Sequence, residues 1–293
     1  MHAGPDLAPI DALAPLVHGR YVDQQVTVAA VHGRRPDRHA VRTDHFDVAF
    51  TDDRVHVGHR IRPSEVDDDL AVILQRELFD PGWLRGGDLF ERVFTGVVRT
   101  GAVDAVDAWE LFYRNTMARL ERSTPVHEHA VELLAGDSVL ELGCCFGFLS
   151  LRTARTGRPT IASDVSPGTI RLLETMAPRL GVRLRTVTAD AARFPAPDAL
   201  ADTVLVVRLL ERLEPEDGAQ VLAEAFRLAV RRVVVGVPLA SEADEAFGHV
   251  RTVSLDDLSH WGRVTGRPFE VHEHHGGWLV VDVDDRPVRR RTE

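Results

Sequence analysis

The chain has 293 residues, of which 44% are hydrophobic and 27% are charged, so it can bury the core of one large domain or of a domain with an extension. Its formal net charge of −10 argues against long nucleic acid as a partner, because phosphate binding needs a basic surface. Apart from histidine, every basic residue is an arginine, which excludes P-loop and Schiff-base chemistry because both need a lysine.

The two cysteines, Cys144 and Cys145, are adjacent, a spacing that suits neither a disulfide framework nor a zinc site. We interpret them as the thiols of a protein from a reducing compartment. No apolar stretch approaches the length of a membrane span, and the N-terminal residues lack the basic start and the apolar core of a signal peptide. We therefore expect a soluble, cytoplasmic protein that does not bind a membrane.

The first hundred residues have a mixed pattern. Residues 1–20 are rich in Pro and Ala and predict a weakly ordered arm. Segments with the composition of strands follow between residues 26 and 62, and the alternation in VHVGHRI predicts a small antiparallel meander. Apolar residues at helical spacing then predict helices at about residues 67–79, 87–99, 105–121 and 123–136.

From residue 137 the pattern changes to short apolar strands that alternate with helices. The five predicted strands lie in the segments DSVLELG, PTIASD, VRLRTVTAD, ADTVLVVRLL and RRVVVGVP. Such alternation predicts a parallel sheet with helices on both faces. The segment RPFEVHEHHGGWLVVDV then contains two apolar strands joined by Gly276-Gly277 without a helix, which predicts an antiparallel hairpin.

Together these elements predict an α/β fold with a doubly wound, mostly parallel, seven-stranded sheet whose last strand is antiparallel. A small β-rich and helical extension precedes it. We expect the N-terminal meander and helices in residues 1–104 and the sheet domain, with a leading helix, in residues 105–285. Residues 286–293 form a tail.

The first parallel strand runs directly into a glycine-containing turn, in the segment VLELGCCFG. Ligands of doubly wound sheets bind where the strands end, and Gly143 and Gly147 let the backbone approach such a ligand. Their spacing, with Cys145 between them, differs from the G-x-G-x-x-G pattern of pyrophosphate-binding turns. Glu141 before the turn would repel a pyrophosphate and attract a cation. The turn therefore favours a positively charged ligand without phosphate.

The same segment resembles the first motif of class I S-adenosylmethionine (SAM)-dependent methyltransferases, E/D-x-G-x-G-x-G, with Cys145 in place of the middle glycine. The resemblance extends over about residues 125–285 and includes the stretches VVRLLERLEPED and GHVRTVSLDDLSHW and the final hairpin. It implies a Rossmann-like methyltransferase fold with SAM as the cofactor. The cofactor-binding residues that it implies are Glu141, Gly143, Cys145, Gly147, Asp164, Asp190, Ala191 and Arg208.

Two aspartates carry most of this assignment. Asp164 ends the second strand, 21 residues after Gly143, where an acid can accept hydrogen bonds from ribose hydroxyls. Asp190, with Ala191, matches the adenine-contacting pair of the family. A structural alternative remains for each aspartate, which could cap a helix, and for the glycines, which could simply form a tight turn.

Transfer of a methyl group to a hydroxyl profits from a general base, usually histidine or a carboxylate. We predict His249, in the stretch GHVR after the fifth strand, as this base, with His274 in the final hairpin as the second candidate. Alternation places His272 and His274 on one face, but the sequence offers no third ligand beside them, and we predict no metal site. The resemblance also places Glu211 and Arg212 among substrate- or cofactor-side residues.

The helix at 105–121 precedes the sheet domain, and in this fold class such a helix often lies over the cofactor. Trp109, Tyr113 and Arg114 are therefore candidates for contact with the acceptor. An ordinary amphipathic packing helix explains the same pattern equally well.

The N-terminal run from RHAVRTDHFDVAF to ERVFTGVVRTGAVDAVDAWELFYRNT, together with ELGCCFGFLSL, resembles the mycofactocin oligosaccharide methyltransferase family. This resemblance implies O-methylation of a sugar hydroxyl on a small glycosylated molecule, with no nucleic acid as a partner. The oligomeric state is not predicted.

Three other functions stay open. A methyltransferase could act on another small molecule or on protein, although the N/D-P-P-Y motif of amine recognition is missing after VVRLL. A non-catalytic interaction module could keep the fold, but its cofactor cleft would be filled or reversed in charge. A nicotinamide oxidoreductase would need a phosphate-binding turn that the sequence does not show.

Overall fold

The structure, a computed structural model, describes residues 10–31, 40–51, 54–122, 124–240 and 248–283. The chain divides into an N-terminal unit, residues 1–123, 174–181 and 245–248, and a sheet unit, residues 124–173, 182–244 and 249–293. The predicted tail, residues 286–293, lies outside the described residues. The helix that the sequence assigned to the second domain falls in the N-terminal unit, and the boundaries at residues 104 and 285 remain predictions.

A five-stranded sheet forms the N-terminal unit's β layer, in the order β1-β2-β5-β4-β3. Its strands are β1 (Tyr21–Val22), β2 (Val26–Ala30), β3 (Val41–Arg42), β4 (Phe46–Phe50) and β5 (Val55–His59). Strands β3, β4 and β5 form the expected antiparallel meander, but β2 pairs with β5 in parallel. The prediction of a purely antiparallel meander is therefore wrong for this pair. Alternation reports which face of a strand is buried, and it does not identify the neighbouring strand.

The helices of the N-terminal unit are α1 (Asp69–Leu74), which continues as a π-helical turn (Gln75–Phe79), α2 (Gly87–Arg99) and α3 (Ala105–Arg122). Helix α2 packs closely on β2 at Gly96, where an added Cβ would lie 2.4 Å from Cγ2 of Val28. This close approach explains a glycine in the middle of a helix, where it costs stability relative to alanine.

Two side chains of the N-terminal unit bind backbone carbonyls of residues 10–20. The buried guanidinium of Arg99 donates from Nη2 to the carbonyl of Ala14 at 2.7 Å, and the Trp109 indole donates to the carbonyl of Ala12 at 2.6 Å. These contacts attach the described part of the predicted arm, whose weak order stays a prediction, and residues 1–9 lie outside the described residues. Main-chain carbonyls supply the attachment, so composition alone could not reveal it.

The sheet unit contains seven strands in the order β11-β12-β10-β9-β6-β7-β8. Their bounds are β6 (Val139–Leu142), β7 (Thr160–Asp164), β8 (Arg185–Thr188), β9 (Ala201–Val207), β10 (Ala229–Val237), β11 (Phe269–Glu273) and β12 (Gly277–Asp282). Strands β6 to β10 run parallel, and β12 is antiparallel to both of its neighbours. The predicted fold class is confirmed. The final hairpin is folded so that β12, its second strand, lies between β10 and β11.

Helices cover both faces of this sheet: α4 (Pro125–Glu132), α5 (Phe148–Arg155), α7 (Pro215–Leu228) and α8 (Leu255–Val264). Helix α6 (Pro167–Arg179) follows β7, and its residues from Glu174 onward belong to the N-terminal unit. Alternate residues of β9 enter two different cores. Val204 and Val206 pack in a core with residues of α7 and α8, whereas Leu205 and Val207 pack in a core with residues of α4 and α5. This alternation explains why the strands read as nearly continuous apolar runs.

Within the described residues, no helix has both the length and the apolar composition needed to cross a membrane.

Candidate cofactor site at the carboxyl edge of the sheet

The turn after β6 requires unusual backbone conformations at three positions. Gly143 and Gly147 have φ angles of +72° and +77°, and Cys145 between them has a φ of +49°. An added Cβ at Gly143 would lie 2.8 Å from Cδ1 of Leu209, and one at Gly147 would lie 2.5 Å from Cδ2 of Leu173. Glycine is therefore needed at both outer positions for conformation and for packing, whereas Cys145 adopts the left-handed region at a cost.

Asp164, at the end of β7, is attached to this turn. Its Oδ2 accepts a hydrogen bond from the backbone N–H of Cys145 at 2.9 Å, and its Oδ1 accepts one from the N–H of Ser166 at 2.9 Å. A carboxylate oxygen has two lone pairs, so each oxygen keeps one acceptor site. The structure thus brings together the turn and the strand-end acid that the sequence singled out.

Glu141 lies on β6 just before the turn and is 4% exposed. Its carboxylate accepts a hydrogen bond from the Ser150 hydroxyl on α5. Burial raises the pKa of Glu141 to about 7, the Ser150 hydrogen bonds oppose this rise, and the nearby charge of Asp164 adds to it. The side chain is therefore part of the packed base of the turn and holds a proton more tightly than an exposed glutamate does.

Asp190 and Ala191 follow β8, the neighbour of β7, and lie at the same edge of the sheet. The Asp190 side chain is exposed, and its Oδ1 accepts a hydrogen bond from the N–H of Ala192 at 2.9 Å. Ala189, just before it, donates its N–H to the carbonyl of Asp164 at 3.0 Å. The structure therefore places Asp190 close in the fold to Asp164, and its contact with a cofactor remains a prediction.

The segment after β9 lies against the glycine turn through Leu209. Arg208 has an exposed side chain and a φ of +54°, and its N–H donates to the carbonyl of Gly236 on the adjacent strand at 2.8 Å. Glu211 follows and is 1% exposed, yet neither of its carboxylate oxygens has a hydrogen-bond partner among the described residues. Burial raises the pKa of Glu211, and the charges of Arg208, Arg212 and Arg251 oppose this rise.

The two predicted bases lie in different elements. His249 is half-buried in the irregular segment before α8, and its neighbour Val250 donates its N–H to the carbonyl of Glu211 at 2.9 Å. His274 is exposed in the turn between β11 and β12, and its ring stacks on that of His129 with 4.3 Å between centroids. Since Gly277 pairs with Val237, this turn also lies at the carboxyl edge of the parallel strands.

His272 and His274 both contact the ring of His129, which confirms that they share one face of the hairpin. Among the residues that the structure describes, no three side chains of His, Cys, Asp or Glu are arranged to hold a metal ion. Cys144 of the turn is buried and Cys145 is exposed, and both carry thiols outside any disulfide of the described residues.

The three predicted acceptor contacts lie on α3 in the N-terminal unit. Trp109 and Tyr113 are 1% and 0% exposed and pack edge-to-face with Phe112. Arg114 is exposed and forms an ion pair with Glu110 on the same helix at 2.6 Å. The structure gives Trp109 and Tyr113 a packing role, and contact of these residues with an acceptor remains a prediction.

Two further residues of the sheet unit were missed by the sequence reading. Val165 directly follows Asp164 and is 70% exposed, which is unusual for an apolar side chain at a strand end. His127 lies in the first turn of α4, and burial, together with the charges of Arg152 and Arg208, lowers its pKa to about 4. The sequence could have identified Val165, because this residue directly follows the acid at the end of the strand. Nothing in the sequence of α4 separates His127 from the neighbouring His129.

Comparison with known proteins gives one family. Residues 139–231, from the start of β6 into β10, match a family model described as "Methyltransferase domain". No curated protein sequence matches the chain.

Solved structures similar to the chain include several methyltransferases. Magnesium protoporphyrin IX methyltransferase from Synechocystis PCC 6803, with bound SAM, is 17% identical over 57% of this chain and 79% of its own, with a TM-score of 0.44. A SAM-dependent methyltransferase from Aquifex aeolicus is 16% identical over 57% of this chain and 93% of its own, with a TM-score of 0.46.

An O-methyltransferase family protein from Burkholderia thailandensis is 15% identical over 61% of this chain and 59% of its own, with a TM-score of 0.46. These likenesses concern the fold. The family model covers about a third of the chain, and the segment that it matches contains β6 to β9 and the start of β10 of the Rossmann-like, mostly parallel sheet.

Proposed function

We propose that this protein is a SAM-dependent methyltransferase that O-methylates a hydroxyl group of a small glycosylated molecule. The observation that supports it most is the attachment of Asp164 to the turn Gly143–Gly147 inside a matched methyltransferase domain. A strand-end acid and a glycine turn at the carboxyl edge are the two parts that a nucleoside cofactor needs in this type of sheet.

The described residues fit SAM in chemistry. Each oxygen of Asp164 keeps a free lone pair for a ribose hydroxyl. The exposed side chain of Val165, beside Asp164, offers an apolar surface to the adenine ring. We assign the contact with the adenine to Asp190 and Ala191, which follow the next strand at the same edge of the sheet. The Asp164 carboxylate, attached to the turn, supplies the acid that favours a cationic ligand over a pyrophosphate.

When bound, SAM supplies an electrophilic methyl group, and the protein supplies alignment and a proton acceptor. We assign the base to His249, with His274 as the alternative, since both belong to segments at the carboxyl edge of the sheet. An imidazole at this position would accept the proton of the acceptor hydroxyl, so that transfer would not need a free alkoxide.

The acceptor class comes from the resemblance of the N-terminal residues to the mycofactocin oligosaccharide methyltransferase family. On this basis the acceptor is a sugar hydroxyl on a short glucose chain. Transfer to such a neutral molecule agrees with the net charge of −10, which disfavours nucleic acid.

Calorimetric titration with S-adenosylhomocysteine (SAH) tests the cofactor. We expect binding that is weakened by Asp164→Ala and kept by Asp256→Asn, a change of an exposed acid on α8 outside the site. Absence of SAH binding by the folded protein would overturn the proposal. Mass spectrometry of glycosylated acceptors incubated with SAM then tests the transfer. A gain of one methyl group on the part of the acceptor without sugar, and none on the sugar, would contradict the assignment of a sugar hydroxyl.

A further inference from the structure

Two histidines from different elements of the sheet unit meet ring to ring. Nε2 of His129 on α4 lies 2.6 Å from Nε2 of His272 on β11. Both rings are half-buried, and their planes are nearly perpendicular, with 4.9 Å between centroids. Two imidazole nitrogens at this distance form a hydrogen bond only when one of them carries a proton and the other does not.

The outer nitrogens of both rings face carboxylates. Nδ1 of His129 lies 3.5 Å from Glu132, and Nδ1 of His272 lies 3.4 Å from Glu270. The second contact is electrostatic, because this buried nitrogen has no hydrogen-bond partner among the described residues. The contact with Glu132 favours a proton on Nδ1 of His129 and leaves Nε2 of that ring as the acceptor. The proton between the two rings is then carried by Nε2 of His272, and both rings are neutral when the hydrogen bond is formed.

We propose that His129 and His272 form a proton-dependent latch, which holds the β11–β12 hairpin against α4 with one shared proton and opens when both rings become charged. This inference does not rest on the proposed function, because it concerns only groups that the structure places in contact. A second proton in the gap would put two like charges within hydrogen-bond distance and remove the acceptor.

The surroundings give the sign of the pH dependence. The ionisable groups that face the pair are Glu132 on α4, Glu270 on β11 and His274 in the hairpin turn, and Trp278 on β12 packs edge-on against the ring of His129. Burial lowers the pKa of His129, the hydrogen bond and the charge of Glu132 oppose this, and His274 and His272 add to the lowering, so the net effect is that the folded state resists protonation of this ring. The latch is therefore closed at neutral pH and opens as the pH falls below about 6.5.

The latch is connected through Trp278 to the carboxyl edge of the seven-stranded sheet. Trp278, whose indole donates to the carbonyl of His274 at 2.8 Å, also packs on Gly236, where an added Cβ would lie 2.8 Å from its ring. The carbonyl of Gly236 in turn accepts the hydrogen bond from Arg208. Opening of the hairpin would therefore disturb the backbone at the end of β9.

Trp278 serves as a built-in reporter, because an imidazolium beside an indole quenches its fluorescence. The emission of the full-length protein would be followed from pH 8 to pH 4.5, with circular dichroism to show that the fold persists. We expect one reversible step below about pH 6.5 in the wild type. This step should disappear in Trp278→Phe and in His129→Gln, which remove the reporter and the quenching ring, and should shift by half a pH unit or more in His272→Gln.

His275→Asn is the matched control, because His275 lies in the same turn, is exposed and contacts His274 but neither ring of the pair. Its step should coincide with that of the wild type. An unchanged step in both glutamine variants, or no step in the folded wild type, would overturn the latch. A step that moves on addition of EDTA would also overturn it, since a metal ion and not a proton would then join the rings.

Discussion

The backbone N–H of Cys145 donates a hydrogen bond to the Asp164 carboxylate at 2.9 Å and so joins the glycine turn to the end of the neighbouring strand. The same carboxylate also accepts the N–H of Ser166 at the start of α6. Asp164 therefore fixes the shape of the turn in addition to its proposed contact with ribose. A substitution of Asp164 changes both the shape of the turn and the contact with ribose, and substitutions that keep different parts of the side chain can separate these two effects.

We expect Asp164→Ala to weaken SAH binding by about 1–3 kcal/mol, because the ribose acceptor and the attachment of the turn are both lost. Asp164→Asn keeps the size and one acceptor oxygen and should cost less. Calorimetric titration measures both affinities, and circular dichroism verifies the fold. Equal affinity of the alanine variant and the wild type would remove Asp164 from the cofactor site.

Replacement of Cys145 by glycine should raise the free energy of unfolding by about 0.5–1 kcal/mol. The φ of +49° is strained for a residue with a Cβ and free of strain for glycine, although glycine also adds entropy to the unfolded chain. Denaturant unfolding measures the change. The opposite substitution in the same turn, Gly147→Ala, should destabilise the protein because its Cβ meets Leu173. A Cys145→Gly variant less stable than the wild type would contradict this account.

Glu141 should make the stability of the protein fall between pH 4.5 and pH 7. Burial raises its folded-state pKa to about 7, above the ordinary value of 4.5, so its contribution is fully present below pH 4.5 and is lost as the pH rises through 7. The total effect is about 3 kcal/mol. Unfolding of the wild type and of Glu141→Gln, measured across this range, should give a difference that changes by that amount. Parallel pH profiles would show that Glu141 does not titrate there.

His249→Ala should lower methyl transfer by about 10²–10⁴-fold, the usual contribution of a general base, and leave SAH affinity nearly unchanged. His274 is the second candidate for the base, and His274→Ala should lower the rate of methyl transfer by a smaller factor. Single-turnover assays with the acceptor found by mass spectrometry give the rates. If the His274 variant loses turnover and the His249 variant keeps it, the base is His274.

Local chemistry explains what the sequence predicted well. The strands of the sheet unit were found because buried parallel strands are continuous apolar runs, and the turn was found because its glycines break such a run. The positions of Asp164 and Asp190 follow from the same strand ends. These features need only a few consecutive residues, and the structure brings Asp164 and the turn together as expected.

Features that depend on distant partners could not be read in this way. Nothing in residues 10–20 indicates that Arg99 and Trp109 bind their carbonyls, and nothing in α3 indicates that Trp109 and Tyr113 are buried in the N-terminal unit. The parallel pairing of β2 with β5 also depends on residues that are far apart in the sequence. Likewise, only the structure shows that the buried carboxylate of Glu211 has no hydrogen-bond partner among the residues described here.

The position of β12 has a consequence for biosynthesis. Residues 277–282 insert between β10 and β11, and β10 pairs with them from Arg232 to Val237. A nascent chain that ends before residue 277 therefore exposes an apolar strand edge with no neighbour, a feature that promotes aggregation. The sheet unit can close only after these residues leave the ribosome, so translation pauses upstream of them would lengthen the time for which chaperones must protect the growing polypeptide.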